Sequence, residues 1–295
     1  ERRDTAFGHA DRFDEQYDLV RFLRKGRFTY WRSYQPFNYY GLYNEYRYKQ
    51  AAYREWWDLY QKGQLGPVQR SFFEPRPPEC LFDLQNDPHE NHNLAGDPGY
   101  ADVLVTMRNV LQEHIKSQPD VGFIPEPVFV RESGGDGALY AEKNKSRIGR
   151  LVEIADLQLL PFEDAKESLK HALQSEDPLE RYWGVITCSV FGKKAVALAE
   201  EIRRMAQDDS EALVRTRAAE FLGLTGLGDP RPILVDVLRK TNDPVEANLI
   251  LNTVVLLRDG QLRLPFDLSP LRNCPWFSAS GEVSRRVNYL FGERN

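Results

Sequence analysis

The sequence has few of the residues that build metal sites, disulfide frameworks or membrane spans. Its three cysteines, Cys80, Cys188 and Cys274, lie far apart and form no Cys-x-x-Cys or Cys/His metal pattern. No apolar run approaches the roughly 20 residues of a membrane-spanning helix. The net charge of -5 gives no reason to expect nucleic-acid binding. These absences argue against zinc-finger, disulfide-rich, membrane-spanning and nucleic-acid-binding proteins.

The first residues also lack the features that open many chains. Glu1-Arg-Arg-Asp-Thr5 contains no initiator methionine and no apolar signal core, so we expect the chain to begin inside a longer protein. What is present is typical of a globular protein, with 41% hydrophobic and 28% charged residues. A chain of 295 residues is long enough for two domains of ordinary size.

The first half of the chain has the patterns of a small sheet with a helix. Residues 18–34 predict an antiparallel hairpin, because strand-forming residues flank Gly26, which can take a positive φ. Residues 80–84 predict a further strand of the same sheet, and the amphipathic stretch 98–118 predicts a helix across one sheet face. The cations along the hairpin form either a solvated strand face or an anion-facing rim. They are Arg21, Arg24, Lys25, Arg27 and Arg32.

Residues 30–60 are crowded with tyrosine and tryptophan. Within them, residues 50–61 predict a helix, because four aromatic residues recur at helical spacing. Such a stripe indicates packing, with sugar stacking as the alternative. Further along, residues 121–127 are expected to be extended, and the glycine-rich residues 133–137 form a flexible break where we place a domain boundary.

The most specific pattern lies at residues 79–95. The string Glu79-Cys-Leu-Phe-Asp-Leu-Gln-Asn-Asp-Pro-His-Glu-Asn-His-Asn-Leu-Ala95 predicts a strand, a turn and an apolar anchor, which occur in many folds. Its ordered pattern Leu-Phe-Asp-Leu-x-x-Asp-Pro-x-Glu-x-x-Asn-Leu-Ala closely resembles a segment near the C-terminal end of sulfatases of the alkaline-phosphatase-like superfamily. The Asp-Arg-x-Asp-x-x-Tyr-Asp stretch at residues 11–18 and the elements after it are similar to the N-sulfoglucosamine-sulfohydrolase-like group.

This resemblance implies that residues 7–130 correspond to the smaller C-terminal subdomain of a sulfatase. That subdomain is a four-stranded antiparallel sheet with a helix, packed on the catalytic domain. The resemblance also implies a formylglycine, made from the cysteine of a Cys-x-Pro-x-Arg motif, and a calcium ion. None of the three cysteines fits that motif. Both cofactors are therefore expected in a catalytic domain upstream of Glu1 and none in this chain, which should not hydrolyse sulfate esters alone. The implied partner is a sulfated carbohydrate, and the implied location is periplasmic or secreted.

Four polar residues near the start are the candidates for contact with substrate. His9, Asp11, Arg12 and Asp14 lie before the hairpin, in a region that the resemblance places close to the pocket mouth. A guanidinium and an imidazole can bind sulfate or carboxylate oxygens through charge-assisted hydrogen bonds. The alternative is a set of local salt bridges that stabilise a loop. The sequence leaves both open.

The second half has the sequence pattern of helical repeats. Asp177, Asp209 and Asp243 each open a predicted helix, and their spacings of 32 and 34 residues indicate stacked helical units. Each aspartate is expected to cap its helix. Residues 209–223 resemble the second-half signature of HEAT repeats. Residues 262–295, which end in a short helix at 282–291, are expected to pack back on the last repeat.

Together these patterns predict an α+β subdomain at residues 1–135 followed by an all-α HEAT-like solenoid at residues 147–295. The function implied by the resemblance is that of a sulfatase C-terminal fragment acting on sulfated carbohydrate. The alternative is a non-enzymatic scaffold or a protein-binding HEAT-repeat module. A fragment separated from its catalytic domain should expose an apolar patch, and the aromatics of residues 30–60 are the expected contributors.

Overall fold

The computed structural model describes residues 4–292, and its β-structure is one antiparallel sheet. Strands pair in chain order, and they are β1 (Thr5–Phe13), β2 (Gln16–Lys25), β3 (Phe28–Ser33) and β4 (Glu79–Asp83). The predicted hairpin is confirmed as β2 and β3, with Lys25 opposite Phe28 and Gly26 at a φ of 57°. The predicted strand at 80–84 is confirmed as β4 beside β3.

Strand β1 corrects the expectation that the residues before the hairpin form a loop. It pairs with β2 along its length, with a register shift between Ala10 and Arg12, and the connecting turn places Asp14 at a φ of 50°. Most of its side chains are exposed or half-buried. A strand held mainly by backbone hydrogen bonds at a sheet edge needs no apolar alternation, and this is why the sequence pattern did not reveal it.

The helices of the first half are α1 (Glu45–Tyr48), α2 (Ala51–Gln61), α3 (Pro67–Arg70) and α4 (Ala101–Ser117). Both predicted helices are confirmed, as α2 and α4. Helix α4 lies across β2 and β3 and buries Leu104, Met107, Leu111 and Ile115. Arg108 of α4 donates two hydrogen bonds to Glu79 of β4, at 3.1 and 2.7 Å, which tie the helix to the sheet edge.

The string at 79–95 closes a backbone clip. Leu94 N donates to Leu81 O at 2.8 Å, and Asn93 Oδ1 accepts from the backbone N–H groups of Leu81 and Ala95 at 3.0 Å each. Asp87 Oδ2 accepts from His92 N at 2.7 Å within the turn. The predicted strand, turn and anchor are therefore confirmed, and the polar residues of the string satisfy backbone groups.

The aromatic segment is covered more fully than expected. Tyr30, Tyr34, Phe37 and Tyr39 are buried, and within residues 30–60 only Tyr40 and Tyr46 are exposed aromatic side chains. The rings pack mainly on one another and on Phe72 and Phe73. The expectation that this segment supplies a large exposed patch is thus wrong, because the rings bury each other's faces.

Up to residue 292, the last one described, the chain then continues through ten helices. They are α5 (Glu126–Glu132), α6 (Gly137–Lys143), α7 (Lys145–Asp156), α8 (Phe162–Leu173), α9 (Pro178–Phe191), α10 (Ala199–Asp208), α11 (Ala212–Thr225), α12 (Arg231–Lys240), α13 (Pro244–Asp259) and α14 (Glu282–Phe291). Helices α9, α11 and α13 form an inner row, since α9 packs on α7, α8 and α11, and α11 packs on α10, α12 and α13. The fold class is α+β, as predicted.

Two local predictions are wrong. Residues 121–127 are not extended, because Asp120 caps a 3-10 turn at Val121–Phe123 and α5 begins directly after Pro125. Asp177 and Asp243 cap α9 and α13 by accepting from the N–H two residues on. Asp209 does not cap α11, which begins at Ala212; Asp209 accepts a bidentate pair of hydrogen bonds from Arg181.

The C-terminal segment packs back as expected. Trp276 is buried and its Nε1 donates to Leu238 O of α12 at 2.8 Å, while α14 packs on α13. One hydrophobic core runs from Tyr17 of β2 to Val287 of α14. Within residues 4–292, no helix has both the length and the apolar character that crossing a bilayer requires.

Candidate functional site

The candidate residues lie on β1 and on its turn into β2. His9 is exposed and stands opposite Arg21 in the strand register. Asp11 is half-buried, Arg12 is exposed, and Asp14 lies in the turn. The structure therefore places all four on one hairpin, but it does not bring them to one point.

Asp11 belongs to a buried charge network centred on Arg21. The Arg21 guanidinium donates to Asp11 Oδ1 at 2.5 Å and to both carboxylate oxygens of Asp120, at 2.6 and 2.8 Å. Burial lowers the pKa of Arg21, but the hydrogen bonds and charge of Asp120, with those of Asp11, outweigh it and raise that pKa. Asp11 is consequently occupied by a structural partner.

Arg12 lies at the mouth of a cavity of about 270 Å³ between the hairpin and the helical half. Its Nε is 3.5 Å from Glu126 Oε2, and the same oxygen accepts a 2.6 Å hydrogen bond from the Tyr17 hydroxyl. Trp183 and Arg217 line the deeper wall. Burial, then the hydrogen bond and charge of Glu126, raise the pKa of Tyr17, so this phenol stays protonated as a donor.

Asp14 faces a different part of the molecule. Its Oδ2 is 2.7 Å from Arg285 Nη1 of α14, and Glu282 lies 3.1 Å from the same nitrogen. Arg285 lines a second, larger cavity that is bordered by the aromatic segment. Asp14 therefore joins the hairpin to the C-terminal helix, away from Arg12.

The chemistry available near Arg12 is anion binding. The distance of 3.5 Å to Glu126 exceeds that of a good hydrogen bond, so this guanidinium is held loosely. A partly exposed arginine can bind a sulfate or carboxylate through two parallel N–H donors. Tyr17, Asp120 and Glu126 take part in the same site but were not predicted. Asp120 lies 99 residues from Arg21 and Glu126 lies 109 residues from Tyr17, and no local pattern signals these links.

The chain's own residues do not fit the formylglycine or calcium that the resemblance implies. Cys188 is fully buried, and Cys80 is half-buried on β4, where burial raises the pKa of its thiol to about 11. Among the residues that the structure describes, no group of three or more His, Cys, Asp or Glu side chains is arranged to hold a metal ion. No catalytic step is assigned to this chain through either group.

Comparison with known proteins gives one partial relationship. An ulvan-active sulfatase from Formosa agariphila is 36% identical to this chain over 124 residues, which are 42% of this chain and 21% of that protein. The chain therefore matches about a fifth of the length of this relative. No family model matches the sequence. A region of the chain is thus related to a sulfatase.

Proposed function

We propose that this chain is the C-terminal region of a sulfatase that removes sulfate from a sulfated carbohydrate. The observation that carries the proposal is the 36% identity with a sulfatase over 124 residues. It is supported by the string at 79–95, whose polar residues build the clip beside β4. The formylglycine and divalent cation would lie in a catalytic domain and supply the nucleophile and the charge stabilisation for sulfate transfer.

The outer face of the sheet supports docking on such a domain. Gly8, Phe22, Trp31 and Cys80 stand opposite one another across the four strands, so their side chains share one face. The Phe22 and Trp31 rings stack at 5.0 Å and are half-buried, and neither belongs to the main core or its packed surroundings in the described chain. Trp31 Nε1 is a buried donor without a hydrogen-bond partner. A covering domain would satisfy both features.

Within this proposal, Arg12 is the residue of the chain that contacts an anionic group of the substrate. The hairpin edge carries it at a cavity mouth, where its neighbour Glu126 is itself held by the Tyr17 hydroxyl. Asp11 and Asp14 are positioning residues, because each is bound to an arginine. His9 is the exposed neighbour on the same strand. We also propose that helices α7–α13 are HEAT-like repeats that support the hairpin.

The test is a fusion protein that joins the part of the Formosa sulfatase preceding the aligned region to this entire chain. The isolated 295-residue chain should release no sulfate from ulvan, and the fusion should release it. Phe22→Glu should abolish or strongly reduce release, because it puts a charge into the proposed docking face. Val105→Glu is the matched control, since Val105 is exposed on α4, across the sheet from that face.

Three results would contradict the proposal. Calcium-dependent sulfate release by the isolated chain would place catalysis in this chain. An inactive fusion with an intact circular dichroism spectrum would favour the alternative of a non-enzymatic scaffold. Equal activity of the Phe22→Glu and Val105→Glu fusions would leave the sheet face without a docking function.

A further inference from the structure

A wide cavity lies between the aromatic segment and the C-terminal helix. Its volume is about 830 Å³, which is enough for a ligand of several sugar rings. Residues of the stretch 39–58 form one wall, and Asp259, Arg285, Asn288 and Tyr289 form the other. Parts of the chain more than 200 residues apart therefore enclose one polar, aromatic space.

The Tyr39 hydroxyl is the first sign that this cavity has a ligand. Tyr39 is only 2% exposed, and its hydroxyl is buried without a hydrogen-bond partner. Burial raises the pKa of Tyr39, and the groups that reinforce this include Asp259, Tyr48 and Tyr289. All three line the cavity, as Tyr39 itself does. An unpaired buried hydroxyl is costly unless something in the cavity bonds it.

The charges of the lining indicate which kind of ligand fits. Lys49 is 2.7 Å from Glu45, and Arg285 is 2.7 Å from Asp14. The Arg54 guanidinium donates to the carbonyls of Tyr48 and Lys49, at 2.8 and 2.7 Å. Each of these cations thus already has a carboxylate or carbonyl partner nearby, and an anionic ligand would have to compete with it.

The lining acids are different, because some of their acceptor capacity is open to a neutral donor. Asp58 is exposed at the rim, and Asn288 is half-buried on α14. Carboxylate and amide oxygens accept hydrogen bonds from hydroxyl groups, and half-buried Trp57 offers aromatic surface for C–H groups. Polar acceptors beside aromatic rings suit a polyhydroxylated ring better than an apolar ligand.

We propose that this cavity binds a neutral saccharide, with the Tyr39 hydroxyl as a direct hydrogen-bond partner. The proposal goes beyond sulfatase activity and does not depend on it, because the cavity is distinct from the one at Arg12. Tyr39, Trp57, Asp58 and Asn288 are the residues assigned to the ligand. Helix α14 completes the site.

The experiment measures binding to the full 295-residue chain by saturation-transfer NMR and calorimetry. The probes are the methyl glycosides of glucose, galactose, rhamnose and xylose, with methyl glucuronide and glucose 6-sulfate as charged counterparts. At least one neutral glycoside should bind, and Tyr39→Phe should weaken it about fivefold to tenfold, the equivalent of one hydrogen bond. Tyr46→Phe is the matched control, because Tyr46 is exposed and lies outside the cavity lining.

Thermal unfolding separates lost binding from lost folding. Tyr39→Phe keeps the ring and removes an unpaired hydroxyl, so its Tm should equal or exceed that of the unaltered chain. The proposal is overturned if no neutral glycoside binds, if only the charged sugars bind, or if Tyr39→Phe and Tyr46→Phe bind equally. Because the readout is binding to this chain, the result is independent of sulfate release by the fusion.

Discussion

Arg285 and Arg286 are neighbours on α14 with very different surroundings. Arg286 is fully buried and donates to the carbonyls of Tyr43 and Glu15 and to Asn252 Oδ1, at 2.8 to 3.0 Å. Arg285 is half-buried and makes its contacts with carboxylates at the surface. The comparison of two adjacent arginines isolates the effect of burial.

Arg286→Ala should lower the free energy of unfolding by about 3–5 kcal/mol, because it leaves buried acceptors without their donor. Arg285→Ala should cost at most about 1 kcal/mol, since solvent screens a half-exposed ion pair. Urea unfolding of the two variants measures the difference. Equal costs would show that the interior network around Glu15 contributes little.

Glu15 should make the free energy of unfolding fall as pH rises, which is the opposite of the usual effect of a carboxyl group in a folded protein. Burial raises the pKa of Glu15 above its usual value of 4.5, against the opposing charges of Arg286 and Arg285 and the backbone N–H of Glu45. Between that value and the raised pKa the folded state binds more protons than the unfolded state. The contribution of Glu15 to stability is therefore largest below pH 4.5 and is lost as pH rises through the folded pKa.

Glu15→Gln should remove this dependence. As pH rises from 4.5, the unaltered chain should therefore lose stability relative to the Glu15→Gln variant. Urea titrations at several pH values, run beside exposed Glu200→Gln as a control, test it. Parallel pH profiles for Glu15→Gln and the unaltered chain would mean that Glu15 titrates alike in both states.

At the scale of the element, the helix caps differ in how many partners each aspartate has. Asp243 Oδ1 accepts from Val245 N at 2.8 Å. Asp177 Oδ1 accepts from Leu179 N at 2.9 Å, and its carboxylate also binds the Arg147 guanidinium through two 2.6 Å hydrogen bonds. The N-cap aspartate thus has one function in α13 and two in α9.

Asp243→Ala should cost about 1 kcal/mol, the usual value of an N-cap. Asp177→Ala should cost about 2 kcal/mol, because it also removes a partly buried ion pair of up to about 1 kcal/mol. Chemical denaturation of both variants and of Arg147→Ala measures the contribution of the N-cap hydrogen bond separately from that of the Arg147–Asp177 ion pair. If Asp177→Ala and Asp243→Ala cost the same, the Arg147 pair is energetically neutral.

At the scale of the whole molecule, the turn between β1 and β2 is held by the helical half. Asn252 Oδ1 of α13 accepts from Tyr17 N at 3.1 Å, and Asn248 Nδ2 donates to Glu15 O at 3.4 Å. Both asparagines are buried on an otherwise largely apolar helix. Removal of the first half would take away the hairpin partners of these amides and the Tyr43 and Glu15 carbonyls that Arg286 binds, leaving Arg286 with Asn252 alone.

A fragment of residues 147–295 should accordingly be far less stable than the full chain, or aggregate. The full chain should unfold in one transition, with circular dichroism and tryptophan fluorescence coinciding, because one core joins its two halves. The fragment folding with unchanged stability would support the predicted division at residues 135–147 as a boundary between independent domains.

The sequence by itself determined the elements whose signals are local. Alternation gave β2 and β3, helical spacing gave α2 and α4, and the bounds of α14 were predicted to the residue. Asp and Pro at helix starts predicted the caps of α9 and α13, since a cap is satisfied within three residues of chain. For the candidate site, polarity together with the family resemblance selected His9, Asp11, Arg12 and Asp14, and their contact with substrate stays a prediction.

Only the tertiary structure decided what those residues bind. Asp11 pairs with Arg21, Arg12 lies by Glu126, and Asp14 pairs with Arg285, so one polar cluster is divided between two cavities. It also decided that β1 is a strand, and that α11 begins at Ala212, so that Asp209 binds Arg181 but is not the cap of α11. These outcomes depend on partners as far apart as the 235 residues between Tyr17 and Asn252. Packing selects such pairs from many that are chemically equivalent, and no local period of the sequence records the selection.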